Sequence, residues 1–166
     1  MTTATSLQTT TFGPYRAMGV HCLGKNENNE ATELWKQFLP REREIEQPRP
    51  NCAFGLCRCI PGATDGSFEY IAAFAVTGKA PLPAGMMAVD IPRGEYAVFP
   101  VADLSEVKQV WHTAAATVNA STEWEPYCGP AGCDCAQHPC FEYYPPEFRG
   151  SGLLFVYIPV KRKAGA

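Results

Sequence analysis

The stretch from Ser67 to Val76 constrains the fold most. Successive side chains of a strand point to opposite faces. Here Phe68, Tyr70, Ala72, Phe74 and Val76 share one face, and Glu69, Ile71, Ala73 and Ala75 share the other. Apolar and small residues on both faces point to close approach of a helix or a ligand. The segments around it can be read by the same periodicities. Phe12 to Leu23 reads as a first strand with an irregular start at Gly13-Pro14. Ala31, Leu34, Trp35, Phe38 and Leu39 then recur at the helical period, which predicts an amphipathic helix from Asn29 to Leu39. Asn28 or Asn29 is its expected cap, Pro40 ends it, and a short polar turn follows with Ile45 inward.

The second strand is expected over Cys52 to Ile60, broken by Gly55, and the third is the Ser67 to Val76 stretch. Gly78 to Gly85 reads as the central connection. Met86 to Pro100 reads as a long strand interrupted at Pro92-Arg93-Gly94. Asp103 with Glu106 forms a capping-box pattern at the start of a second helix, whose apolar face is Leu104, Val107, Trp111, Ala114 and Val118. Phe141 to Tyr144 and Leu153 to Val160 are the last strands. The order strand-helix-strand-strand thus occurs twice, which predicts an α+β fold. Its antiparallel sheet carries two packed helices and has a central ligand groove between the halves. The expected boundaries are a flexible tail over 1–11 and one domain over 12–161, with pseudo-repeats 12–78 and 86–161.

Composition narrows the function classes. Of 166 residues, 46% are apolar and 19% charged, which is the balance of a folded chain. The net charge is −3, and Lys161-Arg162-Lys163 is the only basic cluster, so no direct DNA binding is expected. No apolar run reaches membrane-spanning length, and Met1 to Thr11 lacks the apolar core of a signal peptide. The expectation is a soluble cytoplasmic protein without membrane contact.

Glu142 is the candidate centre of a site. It stands in Phe141-Glu142-Tyr143-Tyr144, a carboxylate inside a run of aromatics. On a strand, Glu142 and Tyr144 share one face and Phe141 and Tyr143 the other. A carboxylate in an aromatic pocket must be compensated, and a cation held by the charge and by ring faces would compensate it. The alternative is a solvated glutamate on an edge strand.

A longer series of residues carries a resemblance. It runs through Leu34-Trp35-x-x-Phe38, Phe54-Gly55, Phe68-x-Tyr70-x-Ala72 and Pro83-x-Gly85-Met86. It continues through Ile91-Pro92-x-Gly94-x-Tyr96-Ala97-Val98-Phe99, Phe141-Glu142-x-Tyr144 and Tyr157-Ile158-Pro159-Val160. This series resembles the GyrI-like small-molecule-binding domain, which is similar to the effector-binding domains of AraC- and MerR-type regulators. The resemblance implies the duplicated fold and a pocket for bulky, often cationic, aromatic compounds, with the motif glutamate, here Glu142, inside it. Candidate pocket walls are Trp35, Phe38, Phe54, Tyr70, Tyr96, Phe99, Trp111 and Tyr144. Two departures stand out: Pro100-Val101 replaces a histidine that many relatives have after the Tyr-Ala-Val-Phe strand, and a Cys-rich insert precedes Phe141. No helix-turn-helix segment precedes the first strand, so the chain reads as a standalone domain.

The insert places Cys128, Cys133, Cys135 and Cys140 around His138. Four thiolates can hold tetrahedral zinc, although the spacing is not that of paired C-x2-C sites. Reduced thiols are the alternative, and no other cofactor is expected. Catalytic motifs are absent: there is no nucleophile elbow, metalloprotease helix or phosphate loop. The leading expectation is capture of a lipophilic, cationic or planar aromatic small molecule. The alternatives are a hydrolase of reactive aromatic compounds with Glu142 as general base, and a protein-interaction modulator of the gyrase-inhibitor kind.

Overall fold

The architecture is that of a computed structural model, which describes residues 6–48, 50–129, 132–133 and 136–165, and only the backbone of Cys128, Gly129, Gly132 and Cys133. The first half consists of strand β1 (Thr9–Phe12), strand β2 (Tyr15–Gly24), helix α1 (Glu30–Phe38), strand β3 (Ala53–Cys59) and strand β4 (Phe68–Ala75). The second has strands β5 (Met87–Ile91) and β6 (Gly94–Val101), helix α2 (Val107–Asn119), short strands β7 (Trp124–Pro126), β8 (Cys128–Gly129) and β9 (Gly132–Cys133), then β10 (Cys140–Tyr144) and β11 (Leu154–Arg162). All pairings are antiparallel, in the order β1-β6-β11-β10-β3-β4-β2-β5, with β7 added on β11. β2-α1-β3-β4 and β6-α2-β10-β11 are the two strand-helix-strand-strand units. They meet at their third elements, so β3 and β10 form the central pair.

Two short links curl this sheet. Phe12 of β1 and Tyr15 of β2 are separated by Gly13-Pro14, yet β1 lies at one end of the strand order and β2 next to the other. Pro92-Arg93 likewise joins β5 at one end to β6 near the opposite end. A link of two residues spans only about 10 Å, so the sheet must bend until its ends nearly meet. The links touch: a Cβ on Gly13 would lie 2.8 Å from the Pro92 carbonyl. Phe54, Leu56, Ile71, Tyr96, Phe141 and Tyr157 fill the inside of the curl, with Phe12 and Tyr15 stacked at 4.9 Å.

The helices cover the other face. α1 sets Leu34 and Phe38 on Met18, Tyr70, Ala72 and Phe74. α2 sets Ala114 and Val118 on Ala97, Leu154, Val156 and Ile158. α1 packs on β2 and β4, and α2 on β6 and β11, which leaves the β3–β10 pair between them uncovered. A small residue makes the close approach of β2 to β4. At Gly19 an added Cβ would run into the Ala72 carbonyl oxygen and lie 2.7 Å from the Ala73 Cα.

Local details correct the sequence expectations. Thr9–Phe12 is a paired edge strand and not part of a flexible tail: Thr10 sits opposite Tyr96, and the Gln8 carbonyl accepts from the Val98 N–H. Residues 1–5 lie outside the described residues. The cap of α1 is neither Asn28 nor Asn29 by side chain; Asn26 Oδ1 accepts from the Ala31 N–H at 3.0 Å. Leu39 begins a tight turn after α1 and is exposed, as is Leu104, so neither belongs to an apolar helix face. Asp103 accepts from the Ser105 N–H at 2.9 Å, and Glu106 closes no capping box, because a 3-10 turn over Leu104–Glu106 intervenes before α2.

The contact at Gly19 gives a direct test. Gly19→Ala should destabilise the chain by at least the ~1–3 kcal/mol typical of overpacking, since backbone and not a flexible side chain blocks the new methyl. A urea midpoint unchanged from wild type would contradict this approach of β2 to β4.

Candidate functional site

The uncovered β3–β10 pair is the floor of a groove of about 1550 Å³, with α1 on one side and α2 on the other. Glu142 and Gly55 face each other on this floor as register partners. Glu142 is only 7% exposed, yet among the described residues none of its hydrogen-bond partners is cationic. Its Oε1 accepts from the hydroxyls of Tyr70 and Tyr144, both at 2.8 Å, and its Oε2 accepts from Trp111 Nε1 at 2.9 Å. Trp35 Nε1 donates to the Tyr70 hydroxyl at 2.8 Å, so both helices feed one network. Trp35 also meets the Tyr144 ring edge-on, with centroids 5.6 Å apart.

Gly55 makes room for this network. A Cβ there would collide with the Tyr70 hydroxyl and lie 2.5 Å from Glu142 Oε1. The opposed strand position must therefore carry hydrogen if tyrosine and glutamate are to meet.

The electrostatics follow from burial. Desolvation pushes the Glu142 carboxyl above its ordinary range, against the downward pull of hydrogen bonds from Trp111, Tyr144 and Tyr70. Burial and the neighbouring Glu142 raise Tyr70 and Tyr144 far above ordinary phenols, so both remain protonated donors. The site is a neutral-donor cradle around one carboxyl group. Its charge, when ionised, is stabilised by hydrogen bonds without being neutralised.

The structure brings together Glu142, Tyr144, Trp35, Tyr70 and Trp111 of the residues singled out by sequence. It separates the others. Phe38 is fully buried under α1, and Phe54 and Tyr96 fill the inside of the curl, where the Tyr96 hydroxyl donates to the Pro92 carbonyl at 2.6 Å. Phe99 packs in the α2 cluster. The cause is strand parity: Phe54 precedes the groove-facing Gly55 and must point the opposite way. Groove residues not singled out include Gly55, Phe68, Phe74, Phe148 and Arg58. Of these, Gly55 carries a sequence signal as a glycine interrupting an apolar strand, and Phe68 and Phe74 carry one through the strand face they share with Tyr70.

Among the described residues, no three histidine, cysteine, aspartate or glutamate side chains assemble into a metal site. Of the proposed zinc ligands, Cys135 lies outside the described residues, and Cys128 and Cys133 are described by backbone alone, facing each other in the β8–β9 hairpin. Cys140 lines the groove. No described helix is long and apolar enough to cross a membrane.

Comparison with known proteins gives a family match over residues 10–160, to the integron-associated effector-binding proteins called Cass2. The transcriptional regulator BrlR of Pseudomonas aeruginosa is 30% identical over 152 residues, covering 88% of this chain and 52% of the regulator. The chain therefore spans about half the length of that relative. An integron cassette protein from the mobile metagenome of Vibrio cholerae superposes with a TM-score of 0.66 at 15% identity, covering 95% of this chain and 97% of that one. SAV2435, solved bound to tetraphenylphosphonium, superposes at 0.63 and 14% identity, covering 94% of each chain. At these identities the two structures show a shared fold.

Two measurements test the cradle. Gly55→Ala should destabilise the protein by about 1–3 kcal/mol and shift the groove tryptophan fluorescence. For Glu142, the native carboxyl holds its proton more tightly than the unfolded one. Wild-type stability should therefore fall as pH rises from the unfolded carboxyl value, near 4.3, to the raised native value, and level off above it. Glu142→Gln has no such proton, so its stability relative to wild type should grow with pH across that window. A constant difference in urea midpoints would mean that burial does not raise this carboxyl.

Proposed function

The chain belongs to the family of integron-associated effector-binding proteins, and from that premise we propose that it binds hydrophobic cations, with Glu142 as counter-charge and Trp35, Tyr70, Trp111 and Tyr144 as walls. The observation that carries this reading is a buried carboxylate whose hydrogen-bond partners among the described residues are all neutral donors, on the floor of an aromatic groove. A cation placed there gains coulombic attraction on the order of 4 kcal/mol at 4 Å in a partly screened setting. Each ring face adds about 0.5–2 kcal/mol. A large cation with spread charge fits best, because it loses less hydration on entry than a compact ammonium. The tetraphenylphosphonium complex of SAV2435 supports the same class of ligand. As effector-binding relatives go, the use of this groove is recognition of a small molecule; the cationic class is our reading.

A hydrolytic use of Glu142 has less support. Three donors already occupy its oxygens, and the two neighbouring hydroxyls, of Tyr70 and Tyr144, are pushed up in pKa and remain protonated, so neither acts as a second base.

The test pairs tetraphenylphosphonium with a neutral aromatic of similar size in calorimetric titrations. Glu142→Gln should weaken phosphonium binding about tenfold or more, or ~1.4 kcal/mol, and leave the neutral compound within about twofold. Phosphonium affinity of the wild type should fall as pH drops through the raised carboxyl value, because protonation removes the counter-charge. Equal losses for both compounds would overturn the electrostatic role. Multiple turnovers of aromatic esters that vanish in Glu142→Gln would replace it with the hydrolase.

A further inference from the structure

The groove floor carries a second chemistry beside the carboxylate. Cys57 of β3 and Cys140 of β10 are direct register partners across the central pair, and both line the groove. They lie two residues from Gly55 and Glu142 along their strands, so their side chains repeat the groove-facing direction. Directly opposed residues of antiparallel strands hold their Cβ atoms about 4.5–5.5 Å apart. Two sulfurs so placed can reach a single bridging atom. On its other side Cys57 pairs with Tyr70, which sets an aromatic ring next to the sulfurs. Both cysteines are partly exposed, as thiol reactivity requires. Cys52 contrasts with them: it is buried in the core cluster inside the curl, and burial pushes its thiol up to about 11.

We propose that Cys57 and Cys140 form a dithiol site for soft, thiophilic aryl compounds, the type being a trivalent aryl arsenoxide. Soft sulfur ligands favour such centres over hard cations. The reaction is a condensation. The two thiols each form one As–S bond, their two protons leave with the arsenic-bound oxygen as water, and arsenic stays trivalent. No oxidant or reductant takes part. The aryl group then lies against Tyr70 and Trp35, in the space that the cation reading assigns to a ligand's rings. The inference goes beyond that reading, since it depends on the sulfurs and not on the charge of Glu142.

The experiment treats the reduced full chain with one equivalent of phenylarsine oxide and follows intact mass. The expected result is one adduct per chain, formed with loss of one water. It should survive excess 2-mercaptoethanol, because two sulfurs hold it, and be removed by 2,3-dimercaptopropanol. Cys57→Ser and Cys140→Ser should each lose the resistance to monothiol while keeping the wild-type circular dichroism and melting curve. Cys22→Ser should keep it, since Cys22 faces Tyr70 and no cysteine in the ladder. A resistant adduct persisting in both serine variants would place the dithiol elsewhere in the chain and overturn the proposal. So would the absence of any adduct on wild type. If a serine variant unfolds, protection of wild-type Cys57 and Cys140 from iodoacetamide by the arsenical, read by peptide mapping, decides the same point. Failure of tetraphenylphosphonium to bind would sink the cation reading alone and leave this one standing.

Discussion

The hydrogen bonds that converge on the buried Glu142 carboxylate set the terms for the rest of the structure. Ionising a carboxylate out of water costs several kcal/mol unless it is paired or hydrogen-bonded. Here β4 supplies Tyr70, β10 supplies Tyr144, and α2 supplies Trp111, while α1 reaches the cluster through Trp35 on Tyr70. Hydrogen bonds to a charged acceptor contribute about 1.5–3 kcal/mol each. Three of them can hold the ionised form without a fixed cation, which leaves the charge available. Had an arginine been buried there instead, the groove would contain a finished ion pair and little reason to attract another positive group.

Such a convergence needs a frame that fixes four elements at once. The curled sheet provides it. The two-residue links Gly13-Pro14 and Pro92-Arg93 tie the ends of the strand order together. The aromatic filling of Phe12, Phe54, Tyr96, Phe141 and Tyr157 then sets the curvature from inside. The helices take the outer strands of each half, and the central pair is left between them as a floor. The groove is thus a consequence of where the helices pack, and its depth follows from side-chain size on the floor: glycine, cysteine and one glutamate.

Much of this was legible in the residues, and the misses have definite physical causes. The 3.6 and 2.0 periodicities located both helices and the main strands, and the alternation in Phe141-Glu142-Tyr143-Tyr144 put Glu142 and Tyr144 on one face correctly. Trp35, Tyr70 and Trp111 share a property that Phe38, Phe54 and Phe99 lack, a polar tip that needs a partner near the groove. Tyr96 has that tip but spends it on the Pro92 carbonyl. Which face of β3 looks into the groove depends on its register with β10, a contact 87 residues away in the chain (142 − 55), and local patterning carries no information about it. The edge strand Thr9–Phe12 escaped notice because its three threonines read as polar tail, although threonine suits a half-exposed strand.

The central pair has one more consequence. Phe54-Gly55 and Phe141-Glu142 hold matching places in the two halves and run past each other antiparallel, so the approximate two-fold axis between the halves passes by the Gly55–Glu142 pair. An exact axis would force both positions to be the same residue. Two glycines would leave the floor without an anion, and two glutamates would set like charges against each other where there is no room even for a methyl group. The molecule can therefore never be a true dimer folded into one chain. The equivalence of the two strands is broken at this one pair, so the floor carries its carboxylate on β10 alone, facing a bare glycine on β3.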